Sequence, residues 1–156
     1  MRPVRAEAPR VEIGGVELEL AGFGRRAAGF LIDSLLIWIA ATVFAVLIGL
    51  DPTAPSIEGQ ILPLIFRVGY SWPWNTIGWS PGKRVVGLRI VKKGGGPPGA
   101  SSGFGRSVGA LVSDLVLGLG YLWALWDPNN QTWHDKLVGT YVVIAPEAES
   151  GDHPQQ

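Results

Sequence analysis

A long apolar run near the beginning of the chain limits what this sequence can fold into. Residues 24–50, GRRAAGFLIDSLLIWIAATVFAVLIGL, open with two arginines and then hold a single charged residue, Asp33. As a helix, residues 27–50 would rise about 36 Å, which is enough to cross a hydrocarbon core of about 30 Å. Because soluble core helices rarely need so long an apolar run, we expect a transmembrane helix over residues 27–50.

Asp33 is the residue that does not suit this span. A carboxylate at the centre of a membrane helix costs about 2.5–3.5 kcal/mol on insertion scales, so we expect Asp33 to face protein or water. Two hypotheses stay open for it: it binds a cation or relays a proton, or it has a structural role, in which it hydrogen-bonds to Ser34 or neighbouring tryptophans or pairs with Arg67. Arg26 lies two helical turns earlier on the same face and is expected to be an interfacial anchor.

Two further apolar segments follow the first. Residues 61–79 contain Arg67, two prolines and a cluster of tryptophans at one end, which is typical of a second span with an interfacial belt. Residues 104–126 contain Asp114 and have glycines where a helix can break. A re-entrant or interfacial segment broken near Gly118 is favoured there over a full crossing. Asp114 is expected to be solvated.

Short β segments separate these apolar runs. Residues 11–20 alternate apolar and acidic side chains around Gly14-Gly15, which predicts a hairpin. Residues 83–93 and 137–145 are rich in β-branched side chains and predict two strands. Each is too short to be stable alone, so we expect them to pair on one side of the membrane. Residues 94–103 are expected to be a flexible linker, and residues 1–10 and 146–156 to be disordered.

The distribution of charge predicts a topology. Lys plus Arg and Asp plus Glu number 13 each, so net charge gives no indication of nucleic-acid binding. Five arginines precede the first span, six Lys or Arg lie between residues 83 and 106, and residues 51–60 have none. The positive-inside rule therefore places the N-terminus and the segment after the second span in the cytoplasm.

No catalytic site can be assembled from this sequence. The chain has no cysteine and two histidines, His134 and His153, which lie too far apart for a metal site. GGGPPG is expected to lack both the following helix and the lysine of a phosphate loop. His134 and Asp135 would point to opposite faces of a strand, so they are not expected to work as an acid–base pair. We therefore predict no enzyme activity, no metal and no cofactor.

Several separated blocks resemble the RDD family of bacterial membrane proteins. These are AGFGRRAAGFLID, PGKRVVGLRIV, FGRSVGALVSD and DPNNQTWHDKLVGTYVV, which cover most of the chain in the family's order. The family is named for one arginine and two aspartates, and the resemblance places the first two on Arg26 and Asp33. The second aspartate falls on Asp135, with Asp114 the competing assignment. An ion pair of Asp135 with Arg26 is the expected structural role, and direct binding of a ligand by Asp135 is the alternative.

Together these features predict a mostly α membrane protein that is a single RDD-type domain over residues 11–145. It would have two transmembrane helices, a third re-entrant, interfacial or spanning segment, and a small cytoplasmic β element. We expect it in the bacterial inner membrane, multi-pass, surrounded by lipid and assembled with itself or another membrane protein. Transport of an unknown ion or small ligand, or an accessory role in it, is the first hypothesis. A non-transporting scaffold that recruits a partner complex is the alternative.

Overall fold

The computed structural model describes residues 9–52 and 57–145, and it is mostly helical with two small sheets. The predicted disorder of residues 1–8 and 146–156 concerns residues outside this description. Arg10, which was assigned to the disordered lead-in, instead begins the first strand. In chain order the elements are β1 (Arg10–Ile13), β2 (Val16–Glu19), α1 (Phe23–Leu47), α2 (Ile57–Ile77), α3 (Pro81–Val85), β3 (Leu88–Lys92), α4 (Gly99–Leu115), α5 (Leu119–Leu122) with a 3-10 turn (Trp123–Leu125), α6 (Trp133–Val138) and β4 (Thr140–Ile144).

Helix α1 has the properties of a membrane span. Only 22% of its most apolar 18-residue window is buried inside the protein, so most of its leucines, valines and isoleucines face outward. Its buried positions recur every four residues, as one face of a helix does, and are Gly29, Asp33, Ile37, Ala41 and Ala45. Asp33 therefore lies on the face turned toward the other helices, as its charge required.

Within the described residues, α1 is the one continuous helix that is long and apolar enough to cross a membrane. Helix α2 is a single helix through Pro63 and Pro73, but it does not reach the same apolarity, so the second predicted span is a helix whose crossing is not established. Helix α2 packs along α4 and also contacts α1.

The third apolar segment breaks where the sequence predicted. Leu117 and Gly118 have positive φ angles of 57° and 77°, and the Gly118 amide donates to the Ser113 carbonyl at 2.8 Å, which closes α4. The following segment, Leu119–Leu125, leaves at 110° to α4, the geometry of a broken span or of a re-entrant loop. Helix α4 begins at Gly99, so the predicted flexible linker over residues 94–103 is wrong in its second half.

The β elements form two antiparallel two-stranded sheets. The hairpin of β1 and β2 is confirmed, with Ile13 opposite Val16 across the glycine turn. The predicted pairing of the later strands is also confirmed, since β3 and β4 are antiparallel with Ile90 opposite Val142. A bridge between Leu20 and Val143 attaches the hairpin to β4 and joins the two sheets through a shared apolar core.

The predicted strand boundaries over residues 83–93 and 137–145 were too wide. Pro81–Val85 is a short helix whose N-cap Ser80 accepts a hydrogen bond from the Lys83 amide, and Trp133–Val138 is another. In both places a helix start signal, a Ser or Thr cap before the first turn, overrides the β-branched residues that follow. The strands begin only after each short helix has ended.

Candidate functional site

A cavity of about 390 Å³ lies between α1, α2 and α4 and is bounded at one end by α3, α6 and the strands. Residues of α1 and α2 reach it at helical spacing, from Phe23 to Ile37 on one helix and from Arg67 to Asn75 on the other. Its lining contains most of the charged residues of the helical region. These are Arg26, Asp33, Arg67, Lys83, Arg106 and Asp114, with His134 beside them.

Asp33 is held mainly by neutral donors and is only 7% exposed. Its Oδ1 accepts from the Tyr70 hydroxyl at 2.9 Å and from the Gly82 amide at 2.8 Å, and its Oδ2 accepts from the Ser80 hydroxyl at 2.5 Å. The Lys83 ammonium lies 3.6 Å from Oδ2. Asp33 thus joins α1 to α2 and α3, but the predicted pairing of Asp33 with Arg67 is wrong.

Close approach of α3 to α1 requires glycine at position 82. A Cβ on Gly82 would lie 2.8 Å from the Asp33 carboxyl carbon and 2.9 Å from its Oδ1. Real Cβ atoms do not come so close to such atoms, so the amide of residue 82 reaches Asp33 only because no side chain is present. The first turn of α3 is therefore part of the Asp33 site.

Asp135 is completely buried and is shared by two arginines. Arg26 of α1 donates to Oδ2, Arg106 of α4 donates to Oδ1, and the Thr132 amide donates to Oδ2 at 3.0 Å. Arg26 also donates to the Asn130 carbonyl. The expected ion pair of Arg26 with Asp135 is present, but Arg26 is not the interfacial anchor that was predicted, because it points inward.

Arg67 and Asp114 form a third charged pair, between α2 and α4. The Arg67 Nε lies 2.6 Å from Asp114 Oδ2, its Nη2 lies 3.2 Å from Oδ1, and Nη2 donates to the Tyr121 hydroxyl at 2.7 Å. The guanidinium also lies over the ring of Phe30, 5.2 Å from its centroid. The prediction that Asp114 is merely solvated is wrong, since it fixes Arg67 in a two-point contact.

Burial changes the pKa of two residues that line the cavity. Burial lowers the pKa of His134, Asp135 opposes this shift, and Arg106, Arg26 and Lys83 add to it, so that the pKa is about 3 and His134 is neutral at pH 7. Burial also lowers the pKa of Lys83 to about 8, although Asp33 acts in the opposite direction.

Asp135 shows the complementary effect. Burial would raise its pKa, but Arg106 and Arg26 hold it well below the ordinary value, so this carboxylate stays charged.

Every charged residue singled out from the sequence contributes to this region, but the partners differ from those expected. His134 and Asp135 lie on helix α6, not on a strand, with His134 Nε2 3.9 Å from Asp135 Oδ1. Arg106 was counted only among the basic residues that set topology. An arginine followed by the apolar run of α4 was a signal of a buried ion pair, as Arg26 before α1 was.

The partners of Asp33 also went unnoticed. These partners are Tyr70, Ser80 and Gly82. They lie far from Asp33 in the sequence, so the sequence alone did not indicate them. Assignment of the second family aspartate to Asp135 stays a prediction.

Comparison with known proteins finds matches of two kinds. The family model of the RDD family matches residues 20–139. An uncharacterised Bacillus subtilis (strain 168) protein, YckC, is 30% identical over 135 residues, covering 83% of this chain and 87% of that protein.

A proline-rich antigen homolog of Mycobacterium tuberculosis is 33% identical over 101 residues, covering 57% of this chain. The match spans only 41% of the mycobacterial protein. No solved structure matches this chain.

Proposed function

The chain belongs to the RDD family, and from that premise and the geometry of its cavity we propose that it binds a small ion or polar ligand in a bacterial cytoplasmic membrane, as a transport protein or a transport accessory. The cavity is the observation that carries this proposal. Its volume of about 390 Å³ falls in the range of small-ligand sites, and charged side chains from four helices meet in it. Ionisable residues placed between membrane helices are costly and usually serve a function.

The proposed topology has α1 and α2 crossing the membrane and α4 with α5 re-entering from the cytoplasmic side. Support for re-entry comes from β3 and β4, which flank the bent segment in sequence and pair with each other. Support for a cytoplasmic N-terminus comes from the arginines before α1 and the lysines and arginines after α2. Two spans are too few to enclose a pathway, so transport would need a homo-oligomer or a partner membrane protein.

Asp33 is the residue on which we would base the test. Purified protein in liposomes would be given gradients of sodium, potassium, chloride or phosphate while an internal pH dye and ion-selective electrodes follow flux. We expect flux of at least one ion with the native chain and its loss in Asp33→Asn, because the substitution removes the charge facing the cavity while leaving an acceptor for α3.

The matched control for this experiment is Glu17→Gln on the exposed hairpin, which removes a carboxylate far from the cavity. Its flux should equal that of the native chain. Equal flux in Asp33→Asn and native protein would contradict a transport role for this carboxylate.

A scaffold role is the second candidate, and the mycobacterial relative favours it. That protein is much longer than the matched region, so this module occurs there together with further sequence. The fully buried cluster around Asp135 is also what a rigid docking platform would need. Folded native protein that moves none of the four ions in the liposome assay and binds no small anion in its cavity would favour this candidate over transport.

A further inference from the structure

The charges around the cavity do not balance. Four cationic side chains line it, and three carboxylates pair with them. The pairs are Lys83 with Asp33, Arg67 with Asp114, and both Arg26 and Arg106 with Asp135. His134 is neutral, as argued above. Among the described residues, the cavity therefore carries one positive charge in excess.

The excess charge lies where it is expensive. Arg106 is only 3% exposed, and the two oxygens of Asp135 are already divided between Arg106 and Arg26. An uncompensated charge in a buried site costs several kcal/mol unless a counter-charge accompanies it. Burial beside a membrane makes water a poor substitute for that counter-charge. The arrangement is therefore complementary to an anion.

Besides Arg67, whose Nε already lies 2.6 Å from Asp114 Oδ2, two cavity residues carry unused donors or acceptors. Arg106 Nε and His134 Nδ1 are buried and have no hydrogen-bond partner in the described part of the chain. Both residues line the cavity and are more than nine-tenths buried. Guanidinium N–H groups fit the oxygens of carboxylates and phosphates, so an oxyanion would satisfy charge and hydrogen bonding together.

The rest of the lining limits what else the anion carries. Apolar side chains cover much of the wall, among them Phe23, Phe30, Ile37, Leu122 and Val142. The space of about 390 Å³ is larger than a bare inorganic ion needs. An apolar group next to the charged one would fill this part of the cavity and release water from it.

We propose that the cavity binds a singly charged oxyanion group, a carboxylate or a phosphodiester, on a molecule that also carries a short apolar part. Such a molecule is either a membrane lipid, with its headgroup in the cavity, or a small soluble amphipathic anion. The inference rests on the proposed ligand-binding function and adds to it the charge and shape of the ligand. The single negative charge of this ligand balances the positive charge left over where Arg26 and Arg106 share Asp135.

A thiol-protection experiment tests this in the intact chain, because the sequence has no cysteine. Ser71→Cys places a thiol in the cavity wall, and Ser101→Cys places an exposed control on α4. The probes in neutral detergent are dihexanoylphosphatidylglycerol and hexanoate, with dihexanoylglycerol and hexanamide as uncharged partners and hexyltrimethylammonium as a cation. We expect the anions alone to slow alkylation at position 71, with no effect at position 101.

A charge-matched pair of variants tests the counter-ion directly. Arg26→Gln leaves Arg106 and Asp135 paired one to one and removes the excess charge, whereas Arg25→Gln removes an exposed arginine next to it on α1 that does not line the cavity. We expect protection by the anions to require about tenfold more probe in Arg26→Gln, the loss typical of one charged contact. Arg25→Gln should match the native chain.

The outcomes separate the ligand class from the proposed function. Protection by the phosphatidylglycerol alone identifies a lipid source, protection by hexanoate alone identifies a soluble carboxylate, and protection by both identifies a site for the oxyanion group itself; each supports the inference. Protection by the uncharged or cationic probes that equals or exceeds protection by the anions overturns the inference while leaving a ligand cavity in place. Protection by no probe, or equal protection in Arg26→Gln and Arg25→Gln, also overturns the inference. In that case the liposome flux assay still tests the proposed function independently.

Discussion

Asp33 and Asp135 are both buried in the same region, yet the protein holds them in different ways. Asp135 is surrounded by two arginines from two helices, whereas Asp33 accepts hydrogen bonds from two hydroxyls and one amide, with Lys83 at 3.6 Å. Removing a carboxylate between two buried cations leaves uncompensated charge, while removing charge from a site of neutral donors leaves much of the hydrogen bonding intact. The comparison assigns Asp135 to structure and leaves Asp33 available for function.

The largest effect should come from Asp135→Asn. Both arginines would lose their counter-charge in a buried site, and such losses cost about 3–5 kcal/mol. We expect the purified variant to be unfolded or to have a strongly lowered midpoint in thermal or denaturant unfolding.

The control is Asp127→Asn, because Asp127 pairs with Lys136, whose side chain is about half exposed. Its loss should be clearly smaller. Similar stability of Asp135→Asn and native protein would contradict the structural role assigned to Asp135.

Gly82→Ala should have the next largest effect. The new methyl would clash with the Gly29 carbonyl oxygen of α1 as well as with the Asp33 carboxyl group, so α3 would have to move away from α1, and overpacking of this kind costs about 1–3 kcal/mol. Unfolding of the purified variant measures this cost. Gly94→Ala is the control, since a Cβ there meets nothing within 4 Å and its φ is not positive.

Asp33→Asn should cost less still, about 1–2 kcal/mol, because one oxygen remains to accept from Tyr70 and Gly82 and the Ser80 hydroxyl can reverse its direction. The comparison therefore predicts that this variant stays folded and loses transport. The two properties are measured on one preparation, by unfolding and by flux in liposomes. If Asp33→Asn were as unstable as Asp135→Asn, both carboxylates would have a mainly structural role.

The smallest effect concerns pH. Burial, Arg106 and Arg26 lower the pKa of Lys83 to about 8, while Asp33 and Asp135 oppose the shift. Lys83 is charged below that pH and loses its proton as the pH rises through it, which removes the excess positive charge of the cavity. Anion protection at position 71 should weaken above about pH 8, and Lys83→Arg should abolish this dependence. If the anionic probes protected position 71 of the native chain equally well up to about pH 9.5, this would contradict the excess positive charge assigned to the cavity.

Some of this arrangement could be predicted from the sequence because it depends on local properties. The apolar length of α1 and the Gly14-Gly15 turn determine elements without reference to distant residues. The break at Gly118 is similar, since glycine is the residue that adopts a positive φ without strain. The pair of Arg26 and Asp135 was expected because two opposite charges stabilise each other in an ion pair.

The partners of Asp33 depend on three-dimensional packing, so hydropathy and charge could not identify them. A weak helix signal, Ser80 followed by Pro81, decides whether the Gly82 amide points at the carboxylate. The β-branched residues after it led to the prediction of a strand instead. Arg67 was assigned to Asp33 only because opposite charges attract, whereas the packing of α2 along α4 brings it to Asp114.

The shared cavity requires α4 and α5 to enter and leave the membrane on one side, since this brings Arg26, Arg106 and Asp135 together. Cysteines at Ser56, Ser101 and Pro128 would be labelled from each side of intact and inverted membrane vesicles. We predict that positions 101 and 128 react from the cytoplasmic side and position 56 from the opposite side. Reaction of position 128 together with position 56 would mean a complete crossing, which would separate β3 from β4 and contradict the shared cavity.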